Sequence, residues 1–119
     1  MLAAAAGLAT LACNANDAVP PGTWGGRNAG LVVTASGATA QFKCGATGTI
    51  RVPLRLHAST FDVPGTFLSL LVNLGPQAAR YAGSVSGSSM TLDVAVGGQS
   101  IGTFELTMGT APTFDVCNF

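Results

Sequence analysis

The feature that most constrains this chain is a two-residue alternation of apolar and polar side chains, repeated in short runs between glycine-containing turns. In the clearest run, Met90, Leu92 and Val94 alternate with Thr91 and Asp93. A period of two is that of a β-strand with one buried face, whereas an amphipathic helix repeats every 3.6 residues. The pattern therefore predicts an all-β protein.

Runs of this kind predict strands at 31–34, 38–44, 50–57, 61–67, 81–85, 90–96, 103–108 and 114–116. About eight short strands joined by tight turns indicate a small antiparallel meander, because strands connected by tight turns pair with their neighbours. Such a sheet hides its apolar face by closing into a barrel, fully or in part, or by folding as a β-sandwich. The barrel is the preferred prediction, since closure removes exposed strand edges.

Composition excludes several classes of function. The chain has 119 residues, enough for one domain, with five basic and five acidic residues. So few cations leave no basic patch for nucleic acid. Hydrophobic residues make up 48% of the chain, unlike disordered proteins. Three cysteines and one histidine make a metal site hard to assemble, and we predict neither a metal nor a cofactor.

The N-terminus predicts export. Residues 1–12 form an uncharged apolar leader that is too short to span a membrane and is typical of the apolar region of a secretory signal. Thr10-Leu11-Ala12-Cys13 resembles the lipobox of bacterial lipoproteins. The resemblance implies an acylated Cys13, a membrane anchor and a cell-envelope location. The alternative is cleavage by ordinary signal peptidase, which leaves a soluble periplasmic or secreted chain.

The predicted organisation is the leader at 1–12, a tether at 13–21 and a single β domain at 22–119. With Cys13 lipidated or removed, Cys44 and Cys117 remain as a pair, and an exported compartment favours their disulfide. The closed loop of 74 residues corresponds to roughly 4 kcal/mol in the chain-entropy model. The alternative is a pair of buried free thiols.

Gly22-Thr23-Trp24, at the head of the predicted meander, resembles the Gly-x-Trp opening strand of lipocalins and avidins, and residues 22–42 look like the first hairpin of an avidin. In those families the tryptophan closes one barrel end and a ligand lies inside. The resemblance implies the closing role for Trp24. The domain also looks like a loose group of small exported bacterial proteins with the same GTWGG start and a terminal cysteine, a group that implies no activity.

Two functional expectations follow from these observations. The preferred one is a non-catalytic binding or interaction domain of the envelope, with an envelope protein as a possible partner. The alternative is a barrel that holds a small apolar ligand, because eight strands enclose just enough room for side chains or one small ligand. The candidate interior residues are Trp24, Phe42, Phe61, Phe67, Tyr81, Phe104 and Leu106.

We predict no catalytic residue. His57, the single histidine, lies near Arg55 on the predicted polar face, which is typical of a surface side chain. A hydrolase that uses His57 is therefore only the third alternative. Asp93 and Glu105 lie on neighbouring predicted strands but face solvent, unlike the carboxylate pair of a glycosidase. The apolar segment 66–74 is expected to be a buried element, with an exposed binding loop as its alternative.

Overall fold

A computed structural model of the protein describes residues 17–70 and 75–117, so the predicted leader, Cys13 and part of the apolar segment 66–74 lie outside the described residues. The described chain forms eight strands and one 3-10 turn, Lys43–Gly45. The strands are β1 Gly22–Gly26, β2 Ala29–Thr34, β3 Gly37–Phe42, β4 Thr47–Ile50, β5 Thr60–Leu68, β6 Gln77–Ser86, β7 Ser89–Val96 and β8 Gln99–Met108.

The strands form a closed barrel in sequence order, and every neighbouring pair is antiparallel. The sheet closes between β1 and β8, where Trp24 pairs with Met108 and Gly25 pairs with Thr107. The predicted all-β meander and its closure into a barrel are confirmed. The β-sandwich alternative is wrong, because one continuous sheet contains all eight strands.

The alternation explains which faces are buried. Met90, Leu92 and Val94 of β7 are each at most 1% exposed, whereas Asp93 between them faces solvent. The tight turn between β7 and β8 is formed by Gly97 and Gly98, both with positive φ, as a primed hairpin turn requires. Local turn chemistry and side-chain pattern therefore specify the same register.

Two predicted strands are wrong. The segment 50–57 leaves the sheet after Ile50, and residues 51–59 form a loop. Its alternation persists, since Leu54 and Leu56 are buried while Arg55 and His57 are exposed. The segment 114–116 pairs with no strand and exposes 83% of Val116. An alternating run thus also forms where a loop packs one side on the core.

The two ends of the barrel differ. At one end, which we call the closed end, residues 17–21 lie against the loop 51–59. The backbone N–H of Val19 donates to the backbone oxygen of Leu54, and the backbone N–H of Leu56 donates to the backbone oxygen of Asp17. Val19, Leu54 and Leu56 join the core. The predicted tether, in its described part, is therefore packed on the barrel. The opposite end, with the turns after β1, β3, β5 and β7, is the mouth.

Candidate functional site: the barrel mouth

The barrel between its two ends is filled by side chains. Of the predicted interior residues, five are buried and two, Phe67 and Phe104, are partly buried against the core; the five are Trp24, Phe42, Phe61, Tyr81 and Leu106. The Trp24 indole donates to the oxygen of Pro20 at 2.9 Å, beside the closed end. Large aromatic side chains thus occupy the space in which a ligand would otherwise lie.

At the mouth, three of these aromatic rings form a cluster beside open space. The Phe42 ring centroid lies 5.4 Å from that of Phe67 and 5.6 Å from that of Phe104, both in tilted geometry. A cleft of about 420 Å³ lies against the three rings. Its remaining walls come from Asn28, Lys43, Cys44, Ala46, Ser69 and Ile101. We call this space the mouth cleft.

Two large aliphatic side chains are exposed at the rim of the mouth cleft. Ile101, which lines the cleft, is 44% exposed, and Leu70, which follows the lining residue Ser69, is 71% exposed. A second hollow of about 320 Å³ shares Phe67, Ser69 and Ile101 with the cleft. In the described part of segment 66–74, β5 ends at Leu68, and Ser69 and Leu70 follow outside the strand. At Leu70 the expected buried element is wrong, because the side chain of this residue is exposed.

The C-terminal residues 109–117, which we call the strap, form one side of the mouth. The predicted disulfide between Cys44 and Cys117 is confirmed, with Cα atoms 5.7 Å apart, and it joins the strap to the 3-10 turn after β3. The backbone N–H of Thr113 donates to the backbone oxygen of Gly26 at 3.0 Å, and the backbone N–H of Asn28 donates to the backbone oxygen of Thr113 at 2.6 Å. The strap therefore runs along β1 up to the mouth.

Asp115 fastens the upper part of the strap. Its carboxylate accepts a hydrogen bond from the Asn28 side-chain amide at 3.0 Å and forms an ion pair with Arg27 at 3.0 Å. Its backbone amide donates to the Asn28 side-chain oxygen at 2.8 Å. The hydrogen bond from Asn28, with that from Arg27, holds the pKa of the Asp115 carboxyl below its usual value.

Glycines in the first hairpin let the strap approach. A Cβ at Gly25 would collide with the backbone at Thr110, and one at Gly30 would lie 2.7 Å from the Pro112 ring. Both glycines face outward on paired strands, where larger side chains would hold the strap away from the sheet. The glycine-rich start of the domain is thus explained by this contact.

The other residues considered as sites lie elsewhere. His57 is exposed in the loop at the closed end, where its backbone pairs with Thr60. Asp93 and Glu105 are exposed and accept hydrogen bonds from neighbouring hydroxyl groups, such as those of Ser100 and Thr91. Among the described residues, no group of three or more His, Cys, Asp and Glu is close enough to hold a metal ion.

Sequence reasoning missed the rim. Ile101 lies out of phase with the inward-facing positions of β8, and it precedes Gly102, whose φ is +157°. The register with β7 shifts at this point, since Val94 pairs with Gly102 and Ala95 with Ser100. This shift is a β-bulge, and an apolar residue that is out of phase beside a strand glycine is its signal in a sequence. That signal at Ile101 could have located the rim.

Comparison with family models, with curated proteins and with solved structures finds no match. Within 17–70 and 75–117, no helix has the length and apolar character needed to cross a membrane.

Proposed function

We propose that this chain is an exported envelope domain, anchored through an acylated Cys13, that binds an apolar group in the mouth cleft and catalyses no reaction. The observation that carries the proposal is the ring cluster of Phe42, Phe67 and Phe104 beside about 420 Å³ of open space. Apolar clefts of about 300–1,000 Å³ with a few polar groups are typical ligand sites.

The polar groups of the mouth cleft are few. Lys43 is the ionisable side chain among its lining residues, and the Asn28 side chain is already engaged by Asp115. A ligand there would bind mainly through apolar contact with the rings. Burial of apolar surface contributes about 25 cal/mol per Å² before the cost of association is subtracted. The small apolar ligand predicted for the barrel interior is therefore proposed at the mouth instead, because side chains fill the interior.

The location proposal is supported by chemistry and by geometry. The disulfide is of a kind that persists in oxidising compartments. Asp17 lies at the closed end, and four residues of extended chain span at most about 14 Å. An anchor on Cys13 would therefore attach near the closed end. The mouth would face away from the anchoring membrane, where it meets soluble ligands or other envelope proteins.

A matched pair of variants tests the mouth cleft. Ile101→Glu places a carboxylate at the rim, whereas Val32→Glu places one at a similarly exposed position on β2, outside the cleft; the two side chains are 44% and 46% exposed. We expect Ile101→Glu to weaken binding of the neutral fluorescent probe N-phenylnaphthylamine about tenfold or more, since a charge beside an apolar site must be desolvated. Val32→Glu should leave it unchanged. Equal binding by both variants, or no binding by the parent protein, would overturn the proposal.

A further inference from the structure

The barrel closes along only part of its seam. Strand β8 has ten residues, and within the described chain β1 pairs with only its last two, Thr107 and Met108. Above that point β1 ends, and a cleft of about 430 Å³ lies between β8 and the strap. We call this cleft the notch, and it is lined by Arg27, Asn28, Thr103, Phe104, Glu105 and Asp115.

The strap explains why the notch is open. Beyond Gly26 the chain turns from β8 toward the strap, where Arg27 forms a parallel bridge with Thr113 and the Asn28 amide donates to Thr113. Gly26 still lies against the Glu105 backbone oxygen, so the seam is narrow at its base. Nearer the mouth, β1 no longer pairs with β8, and the edge of β8 faces the notch.

The backbone groups at this edge can be assigned by parity. The Met108 amide donates to Ser88, on the β7 side. Successive residues of a strand direct their backbone N–H and C=O groups to opposite edges of the strand. The backbone groups of Leu106 and Phe104, two and four residues before Met108, therefore also face β7. Thr103 therefore directs its N–H and C=O toward the notch, and Glu105 directs its N–H there, whereas the Glu105 oxygen lies against Gly26. These are the donors and acceptors that a further strand requires.

The notch lies beside the mouth cleft, because Asn28 and Phe104 line both. Residues opposite one another on paired strands place their side chains on the same face of the sheet. A chain beside β8 would therefore direct the side chain opposite Phe104 toward the aromatic rings. The side chains opposite Thr103 and Glu105 would face solvent, where a basic residue would complement the Glu105 carboxylate.

We propose that the notch binds an extended segment of a partner protein, which adds as a strand to the free edge of β8 and inserts an apolar side chain into the mouth cleft. Strand addition of this kind derives affinity from main-chain hydrogen bonds and specificity from alternate side chains. The segment alternates apolar and polar residues. The apolar insertion rests on the proposed function, whereas the edge pairing rests on β8 alone.

The experiment selects random heptapeptides on the full immobilised chain and measures each enriched peptide against two variants. Thr103→Pro removes the N–H that faces the notch but none that faces β7, and Thr103→Val keeps that N–H. We expect enriched peptides to bind Thr103→Pro about tenfold or more weakly than the parent and to bind Thr103→Val normally, since one hydrogen bond is lost and the peptide oxygen that accepted it is left unpaired. In the parent protein, the peptide should also slow amide exchange at Thr103 and Glu105.

The outcomes separate this proposal from the proposed function. If no peptide is enriched, if peptides bind Thr103→Pro as they bind the parent, or if exchange at Thr103 and Glu105 does not slow, strand addition is wrong. If Thr103→Pro leaves the binding of N-phenylnaphthylamine unchanged, the mouth cleft remains a binding site whether or not a strand adds to β8. Dimerisation of the free chain that protects the same two amides would assign the edge to a second copy and would overturn the proposal.

Discussion

The phenolic hydroxyl of Tyr81 donates to the backbone oxygen of Thr66 at 2.7 Å, across the space that Gly48 leaves inside the barrel. Tyr81 is fully buried, so this hydrogen bond satisfies a polar group that water does not reach. A Cβ on Gly48 would collide with the same hydroxyl oxygen. The missing side chain at Gly48 on β4 thus leaves room for the large side chain of Tyr81 on β6.

Replacing Gly48 tests this arrangement. We expect Gly48→Ala to lower the free energy of unfolding by about 1–3 kcal/mol, as overpacking of a filled core does. Tyr81→Phe removes the oxygen that the new methyl group would meet, so the double variant should be more stable than the sum of the single changes predicts. Urea unfolding of the four proteins measures this coupling. Strict additivity would show that Gly48 and Tyr81 do not share this space.

Tyr81 also predicts alkaline behaviour. Burial raises the pKa of Tyr81 to about 12, above the value of 10 for the free side chain. The unfolded chain therefore loses this proton first, and the stabilisation, complete below pH 10, is lost between pH 10 and 12, by about 2–3 kcal/mol in all. Tyr81 is the single tyrosine, so phenolate absorbance reports its titration directly. Ionisation near pH 10 in the folded protein would contradict the buried hydrogen bond.

The disulfide predicts a stability difference between redox states. Because it closes 74 residues, its removal in Cys44→Ser/Cys117→Ser should lower the free energy of unfolding by about 2–4 kcal/mol. The barrel strands do not contain either cysteine, so the β-sheet circular dichroism of the variant should remain. Loss of that signal under native conditions would show that the barrel requires the disulfide to fold.

The contact between strap and hairpin predicts a coupled pair. Gly30→Ala would place a methyl group 2.7 Å from the Pro112 ring and should displace the strap, which weakens its hydrogen bonds near Thr113. Pro112→Gly removes the atoms that the methyl group meets. The double variant should therefore recover part of the amide-exchange protection at Asn28 that Gly30→Ala loses. Unchanged protection in Gly30→Ala would place the strap elsewhere in solution.

Much of the fold follows from the sequence, because side-chain alternation and turn chemistry are local. Gly97-Gly98 specifies its hairpin without reference to the rest of the chain. The strand predicted at 50–57 is wrong because Leu54 and Leu56 alternate with exposed residues as they would in a strand, although here they lie in a loop and cover the end of the barrel core. Burial alone produces a period of two, and only a pairing partner makes a strand.

The candidate site was harder to predict than the fold. Phe42, Phe67 and Phe104 were expected inside the barrel, but nothing in their spacing shows that they lie at one end beside Ile101. The mouth depends on where each strand ends, and those boundaries are weak signals in a sequence. The alternation of Phe114 and Val116 with Asp115 predicts a strand at 114–116, but this part of the strap pairs with no strand. Its role depends on long-range contacts with Asn28 and Gly30.

Native mass spectrometry of the protein isolated from its own envelope tests the central claim most directly. The account predicts a mature chain that begins at Cys13, carries acyl groups there, contains the Cys44–Cys117 disulfide and retains an apolar ligand or partner segment that Ile101→Glu releases. An unmodified chain with an empty mouth, unchanged by Ile101→Glu, would contradict it.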